Sequence, residues 1–330
     1  MAMMRLIAVL IFVMAVLLLL SLSLGAQEIP ITDLFAGLVG RGDEINQIII
    51  WQIRLPRSLL AILVGAGLGA SGAALQGLLR NPLADPAVVG ISSMASLFAA
   101  FVIYTGLVSV LPWMLFAGAM LGAGLAALFL LLLAFARASA TGLILGGVAM
   151  SAMATSATAL LMNLSPNPWA LSEIAYWLMG SVADRSLFDV MLAAPLILFG
   201  VLLLSRAGSG LDLLSLGEDT AASAGRSVSS TGKWVVIGSM LCVGVGVASA
   251  GAVGFVGLAA PHLVRPFVKF LPSRTLLPSA LVGGILLLFA DMVSRALSGP
   301  GTPLYLGVVT ALLGAPLFLF LVWKTQKEQL

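Results

Sequence analysis

Nine apolar runs dominate the chain, at 6 to 24, 57 to 79, 87 to 104, 113 to 135, 142 to 163, 187 to 205, 233 to 250, 276 to 295 and 304 to 323. A helix that crosses a bilayer needs about 20 mainly apolar residues, because each residue rises about 1.5 Å through a hydrocarbon core about 30 Å thick. In that core every backbone N–H and C=O must be bonded within the structure, so such runs fold as helices. Between the seventh and eighth runs, Gly251 to Phe270 is too broken by Gly and Pro for an ordinary span and too apolar for an exposed loop. It reads as a short or broken tenth helix covered by its neighbours. The predicted fold is therefore all-α, a polytopic membrane protein of about ten transmembrane helices.

Composition agrees. Charged residues make up 9% of the chain and hydrophobic ones 61%, against about 25% charged residues in soluble domains. A net charge of +3 is too small to imply a nucleic-acid partner. The single cysteine, Cys242, cannot form an internal disulfide, and the single histidine, His262, cannot build a metal cage alone.

The first run has a second reading as a secretory signal, with Arg5 before it and Ser23, Leu24 and Gly25 as a small-x-small site. Its apolar stretch is longer than the about 7 to 15 residues of a signal core, which favours a retained helix. With ten spans and a cytoplasmic amino terminus, the inside holds Arg5, Arg80, Arg137, Arg206, Arg226, Lys233, Arg265, Lys269, Arg274, Lys324 and Lys327. Arg41, Arg54, Arg57, Arg185 and Arg295 remain outside. This satisfies the positive-inside rule, and the reversed orientation violates it. Both termini are then cytoplasmic. Trp51, Trp113, Trp169, Trp177, Trp234 and Trp323 fall at or between run ends, where indole prefers the interface.

Glycine pairs such as Gly65 with Gly69, Gly118 with Gly122 and Gly142 with Gly146 carry the small-xxx-small spacing that lets helices approach closely. The run Leu143, Ile144, Leu145, Gly146 recurs as Leu304, Tyr305, Leu306, Gly307. In each half a broken turn (Asn81 to Pro86; Gly251 to Pro261) follows a Gly-rich helix and begins a shorter one. One membrane domain over 1–330, with related halves of opposite topology at about 1–185 and 186–330, suits a transporter.

Several motifs allow two readings. The string Arg54, Leu55, Pro56, Arg57 precedes the second span on the outer side, where arginine can pair with carboxylates on a partner or anchor in headgroups. Arg295 has the same choice, and Asp291, four residues earlier, is placed to pair with it along the helix. The turn from Arg80 to Pro86 is either the mouth of a pathway or a tight interhelical connection. Leu211 to Gly225 is the longest cytoplasmic loop. Leu213, Leu216 and Thr220 lie at helical spacing there, suggesting a short amphipathic helix. Glu218 and Asp219 make anionic lipid a poor host for it, so a protein partner is favoured. Trp169, Glu173, Tyr176 and Trp177 read as an interfacial helix, His262 as a packed histidine, and the 14 Met as bundle filler.

No phosphate loop is present. Gly232 and Lys233 resemble the end of GxxxxGK[ST], but Ser227 stands at the first Gly and Trp234 at the magnesium-binding hydroxyl. No span carries the several ionisable groups of a proton relay. An ion-coupled secondary transporter acting without an ATPase is the alternative reading, and a structural membrane subunit a third.

Together these motifs resemble the FecCD-type permease family, the membrane subunits of bacterial ABC importers for iron siderophores, haem and cobalamin. The resemblance covers nearly the whole chain: RLPR at 54 to 57, SGAALQGLLRNPLADP at 71 to 86, LGEDTAASAG at 216 to 225, GFVGLAAPHLVR at 254 to 265 and GVVTALLGAP at 307 to 316. It implies a ten-helix permease of the bacterial inner membrane that pairs with a second copy and binds ATPase subunits inside. Outside, it receives cargo from a substrate-binding protein. No cofactor belongs to this chain, ATP and Mg being held by the partner subunits. Arg54, Arg57 and Arg295 are then expected to dock the binding protein. The segment 211–226, with Leu213, Leu216, Gly217, Ala221 and Gly225, is expected to couple to the ATPase. Asn81, Leu83, Ala140 and Thr141 are expected at the cytoplasmic gate. The chain departs from the family's usual Glu-Leu-Pro with Pro303, Leu304 and Tyr305, and the pair at 140 and 141 is not fully hydroxylated.

Overall fold

The computed structural model describes residues 2–25, 27–136, 139–299 and 303–327, and side chains within 3–316 of these. Arg137 and the side chains of Trp323, Lys324 and Lys327 lie outside the described residues. The amino-terminal part comprises α1 (Ala2–Ser23), α2 (Ile31–Leu38) and α3 (Glu44–Ile48). A π-helical turn, Ile49–Arg54, leads without a break into α4 (Leu55–Leu78). Next come α5 (Ile91–Tyr104), α6 (Leu107–Val110), α7 (Trp113–Phe135), α8 (Ala140–Asn163) and α9 (Pro168–Leu178). The remainder is α10 (Leu187–Ser215), α11 (Glu218–Ser223), α12 (Val228–Ala250), α13 (Val256–Val264), α14 (Pro272–Leu297) and α15 (Leu306–Lys327).

Among the described residues, seven helices are long and apolar enough to cross a membrane. Each of the nine apolar runs is occupied by helix. The runs that fall short are α5, with 14 residues, and the described part of α15. The broken segment after the seventh run holds α13, nine residues containing Pro261. Starts follow their capping chemistry. Ser139, Asn167, Ser186 and Ser227 each accept a backbone N–H of the first turn, while Pro168 and Pro272 stand where no intrahelical N–H is needed.

Helices α4 and α12 form the centre. Around α4 pack α14, α10, α12 and α13, and α12 also meets α7. Glycine makes this closeness achievable. A Cβ at Gly65 would overlap the Gly283 carbonyl oxygen, and one at Gly69 that of Ser279, so α4 and α14 touch backbone to backbone. Gly72 faces Gly257 at the start of α13 in the same way, and Gly122 faces the Met94 carbonyl of α5. Helices α1, α8 and α10 are peripheral, with large apolar side chains such as Phe12, Met153 and Phe188 turned outward.

Two elements outrun their apolar segments. Glu44–Leu78 is 35 residues of continuous helix, about 52 Å at 1.5 Å per residue, longer than a hydrocarbon core of about 30 Å. Likewise α10 has 29 residues and continues through Arg206 and Asp212, which the sequence reading placed in and beside a loop.

Candidate functional site

Two ends of the bundle gather the sequence-predicted residues. At the end where α4 begins and α14 finishes, three charged side chains meet. Asp291 on α14 is fully buried. Arg57 donates from Nε to Asp291 Oδ1 at 2.9 Å and Oδ2 at 3.2 Å, and its Nη2 lies 2.8 Å from Oδ1. Arg295 Nε lies 3.2 Å from Asp291 Oδ2, the along-helix pairing expected from the spacing. Arg57 is the nearer partner, across helices. Arg295 also donates from Nη1 to Ser21 O at 3.1 Å and Leu24 O at 3.3 Å, and from Nη2 to Ser21 Oγ at 2.5 Å.

Arg54 does not share the surface with them. It is 5% exposed and donates from Nη1 to Leu22 O at 2.7 Å and Ser23 O at 2.8 Å, and from Nη2 to Gln27 O. Its guanidinium satisfies carbonyls that the end of α1 leaves without intrahelical partners. The three arginines therefore differ: Arg54 and much of Arg295 hold α1 in place, while Arg57 keeps N–H groups beyond those given to Asp291. A side chain's distant carbonyl partners leave no trace in local sequence, so RLPR alone could not separate these roles.

The opposite end holds the connection 79–90, the start of α8 and the end of α10. Asn81 Oδ1 accepts the Leu83 N–H at 2.9 Å and Asp85 Oδ1 that of Ala87 at 2.9 Å, two side-chain-closed turns that fix the double-proline segment. Asp85 Oδ2 and the Pro86 ring both face Gly257 of α13. Burial raises its pKa above the usual carboxylate value, and the Ala87 N–H opposes this. Leu83 is 47% exposed. With Asn81, Val88 and Ile144 it lines a cavity of about 190 Å³. Ala140 is buried and Thr141 exposed in the first turn of α8, so Ile144, one turn on, is the α8 residue that meets Asn81 and Leu83. From Val88 a groove of about 510 Å³ opens along α8, lined also by Val148, Ser151, Ala152, Thr155 and Ser156. The sequence reading did not single these out, although hydroxyls at 151, 155 and 156 on one face of an apolar helix are a visible signal.

The segment 211–226 is not one amphipathic helix. Leu213 belongs to the last turns of α10, Leu216 caps it, and α11 starts afresh at Glu218. Gly217 turns the chain with φ 113° and ψ 154°, a conformation reserved for glycine. Leu216 is 67% exposed and Ala221 fully buried; Gly225, at φ 74°, ends α11. Asp212 Oδ1 accepts the Ser273 N–H at 2.8 Å and so ties α10 to the start of α14. Arg80 Nη2 donates to Glu218 Oε1 at 2.6 Å, and Arg265 Nη2 to Gln76 Oε1 at 2.6 Å.

His262 Nδ1 lies 3.1 Å from Leu258 O within α13. Cys242 is buried against Gly67 and Gly200. On α9, Trp169 is exposed and Tyr176 stacks on Tyr305 with ring centroids 5.6 Å apart. Among the described residues, no three His, Cys, Asp or Glu side chains converge as metal ligands.

Comparison with known proteins extends this geometry. Residues 13–324 match the FecCD transport family. The chain is 37% identical to the Fe(3+)-citrate import system permease protein YfmE of Bacillus subtilis, covering 98% of this chain and 96% of that one. It is also 37% identical to the vitamin B12 import system permease protein BtuC of Salmonella newport, covering 94% and 95%. A solved structure assigned as an inward-facing metal-chelate type ABC transporter matches with a TM-score of 0.85 at 32% identity, covering 96% of this chain and 97% of that one.

Proposed function

The chain belongs to the FecCD transport family, and from that premise we propose that it is the membrane permease subunit of a binding-protein-dependent ABC importer. Its cargo is a siderophore-type iron chelate, or haem, or cobalamin, and ATP hydrolysis on separate subunits drives transport. The family is one of permease subunits, transport components that are not themselves ATPases. The observation that carries the reading is the end-to-end likeness to permeases for iron citrate and vitamin B12.

The geometry fits each part. In the bacterial inner membrane, with both termini cytoplasmic, the connection 79–90 and α11 face the cytoplasm and the Arg57–Asp291–Arg295 cluster faces outward. The ten-helix count takes the seven long helices with α5, α13 and α15, in halves of about 1–185 and 186–330. Leu216, Gly217, Ala221 and Gly225 form an elbow at the cytoplasmic tip of α10 that an ATPase subunit can grip, with Leu213 in the shaft behind it. Asn81 and Leu83, with Ala140 and Thr141 beside Ile144, form the inner gate. Arg57 and the exposed part of Arg295 offer charge to acidic groups of a substrate-binding protein; Arg54 supports them by fixing α1. A second copy of the chain completes the pathway along α8. Closing of the ATPase subunits on ATP moves the elbows and switches access, and hydrolysis resets it.

The test is ATP hydrolysis in proteoliposomes holding the chain purified from its membranes with whatever copurifies. The binding protein is added empty or loaded with iron chelate, haem or cobalamin. Stimulation by one loaded form is expected and identifies the cargo. A chain that retains no ATPase and shows no turnover would overturn the importer reading and leave the ion-coupled carrier and the structural subunit.

A further inference from the structure

The gate connection and the elbow are joined by one side-chain pair. Arg80 is the last residue before Asn81, and its Nη2 lies 2.6 Å from Oε1 of Glu218, the first residue of α11. The two are 138 positions apart in sequence. Among the described residues it is the ion pair that ties α11 to anything other than its own neighbour in the chain; the other two involve Asp291 at the far end. Arg80 adopts φ 48°, a left-handed conformation unusual for a residue with a Cβ. Its side chain is thereby presented from a turn whose next residues are fixed by the Asn81 and Asp85 side chains. On the other side, Gly217, at φ 113° and ψ 154°, turns the chain immediately before Glu218. A glycine turn, a charge, its partner and a turn braced by side-chain hydrogen bonds thus follow one another in space, ending at Leu83 on the cavity.

We infer that the Arg80–Glu218 pair carries movement of the elbow helix into the 79–90 connection, making both residues positioning residues for the gate. This rests on the importer reading given above. Ala221 is packed into the core, so apolar contact keeps α11 close, while the ion pair fixes which way the turn follows it. Both side chains stand at the surface, exposed by 40% and 37%, so neutralising them leaves the packed bundle intact.

The experiment uses the complex of full-length chain and copurifying ATPase in proteoliposomes, with Leu83→Cys introduced on a Cys242→Ala background. The probe is a membrane-impermeant maleimide applied to the ATPase-exposed face, with and without Mg-ATP and vanadate. In the parent, the nucleotide is expected to change the labelling rate at residue 83 at least fivefold. Glu218→Gln and Arg80→Gln should each reduce that ratio at least threefold, and Arg80→Lys, which keeps the charge, should hold it within twofold of the parent. Unfolding temperatures of all variants, measured alongside, report folding separately from the ratio. A ratio within twofold of the parent in either neutralised variant would overturn the inference while leaving the importer reading in place. A parent whose labelling ignores nucleotide would overturn the inference alone, and a parent that holds no ATPase would overturn both.

Discussion

At the scale of single residues, the arginines show how one charge type divides its work. Asp291 is buried with a guanidinium on either side, and removing one member of such a group leaves charges without a partner. Asp291→Ala should therefore cost about 3–5 kcal/mol, read as loss of unfolding temperature in detergent. Arg57→Ala should weaken binding-protein docking and flatten its salt dependence, because a docking charge acts through screened Coulomb attraction. Arg54→Ala should loosen α1, seen as faster proteolysis near residues 23–30, with the salt slope unchanged. An Arg54→Ala chain whose salt slope also flattened would return Arg54 to the docking surface. Asp85 tests a different balance. Its folded pKa is raised from 3.8, so its contribution to stability is present in acid and lost as pH rises through the folded value. Asn keeps an Oδ1 for the Ala87 N–H and has no charge to bury. Asp85→Asn should match the parent in unfolding temperature near pH 3.5 and exceed it at pH 7.5; a constant difference at both would refute the assignment.

At the scale of elements, the sequence is most legible where apolar length decides and least where a helix continues past it. The runs 113 to 135 and 142 to 163 coincide with α7 and α8 to within two residues, because hydrocarbon and interface set their limits. The run ending at 205 gives no hint that α10 continues to Ser215: beyond the apolar stretch, helix is maintained by packing of Ala207, Leu211 and Leu214 and by the Asp212 tie to α14. The expected coupling segment 211–226 therefore takes in the last turns of α10 as well as α11. What stops α10 is Gly217, legible as a glycine but not as a hinge, since its φ of 113° depends on the direction α11 must take. A bulky residue there, Gly217→Leu, should cost about 1–3 kcal/mol of local backbone strain and uncouple the elbow from the gate. Cargo-stimulated ATP turnover should fall sharply while the bundle's unfolding temperature changes little. Normal stimulated turnover in that variant would remove the elbow from the mechanism. The small-residue spacing at Gly65 and Gly69 was readable in advance, but its partner, Gly283 on α14, was not, since spacing within one helix does not say which helix fills the gap.

At the scale of the whole molecule, the surface of α8 sets it apart from the other peripheral helices. Along α10 the exposed side chains include Phe188, Met191, Leu198, Phe199 and Leu202, a face suited to lipid. Along α8 the groove carries Ser151, Thr155 and Ser156. Ser151 donates to Ala87 O at 2.9 Å and Thr155 to Ser151 O at 2.9 Å, which meets part of their hydrogen-bonding need internally. Hydroxyls with lone pairs left over are poorly placed against acyl chains but well placed against water or another protein surface. The groove also meets, through Val88, the cavity under Leu83. On the importer reading proposed above, this wall would be half of a passage, and a second copy related by a two-fold axis would supply the other half with the same residues. On a Cys242→Ala background, Ser156→Cys should then form a copy-to-copy crosslink with a short bis-maleimide in native membranes, whereas Phe199→Cys should remain monomeric because lipid lies beyond it. Crosslinking at 156 should also respond to Mg-ATP and vanadate, since the same passage must widen and narrow as the gate works. A crosslink at 199 with none at 156 would place the second copy against α10 instead, and the hydroxyls of α8 would need another cover.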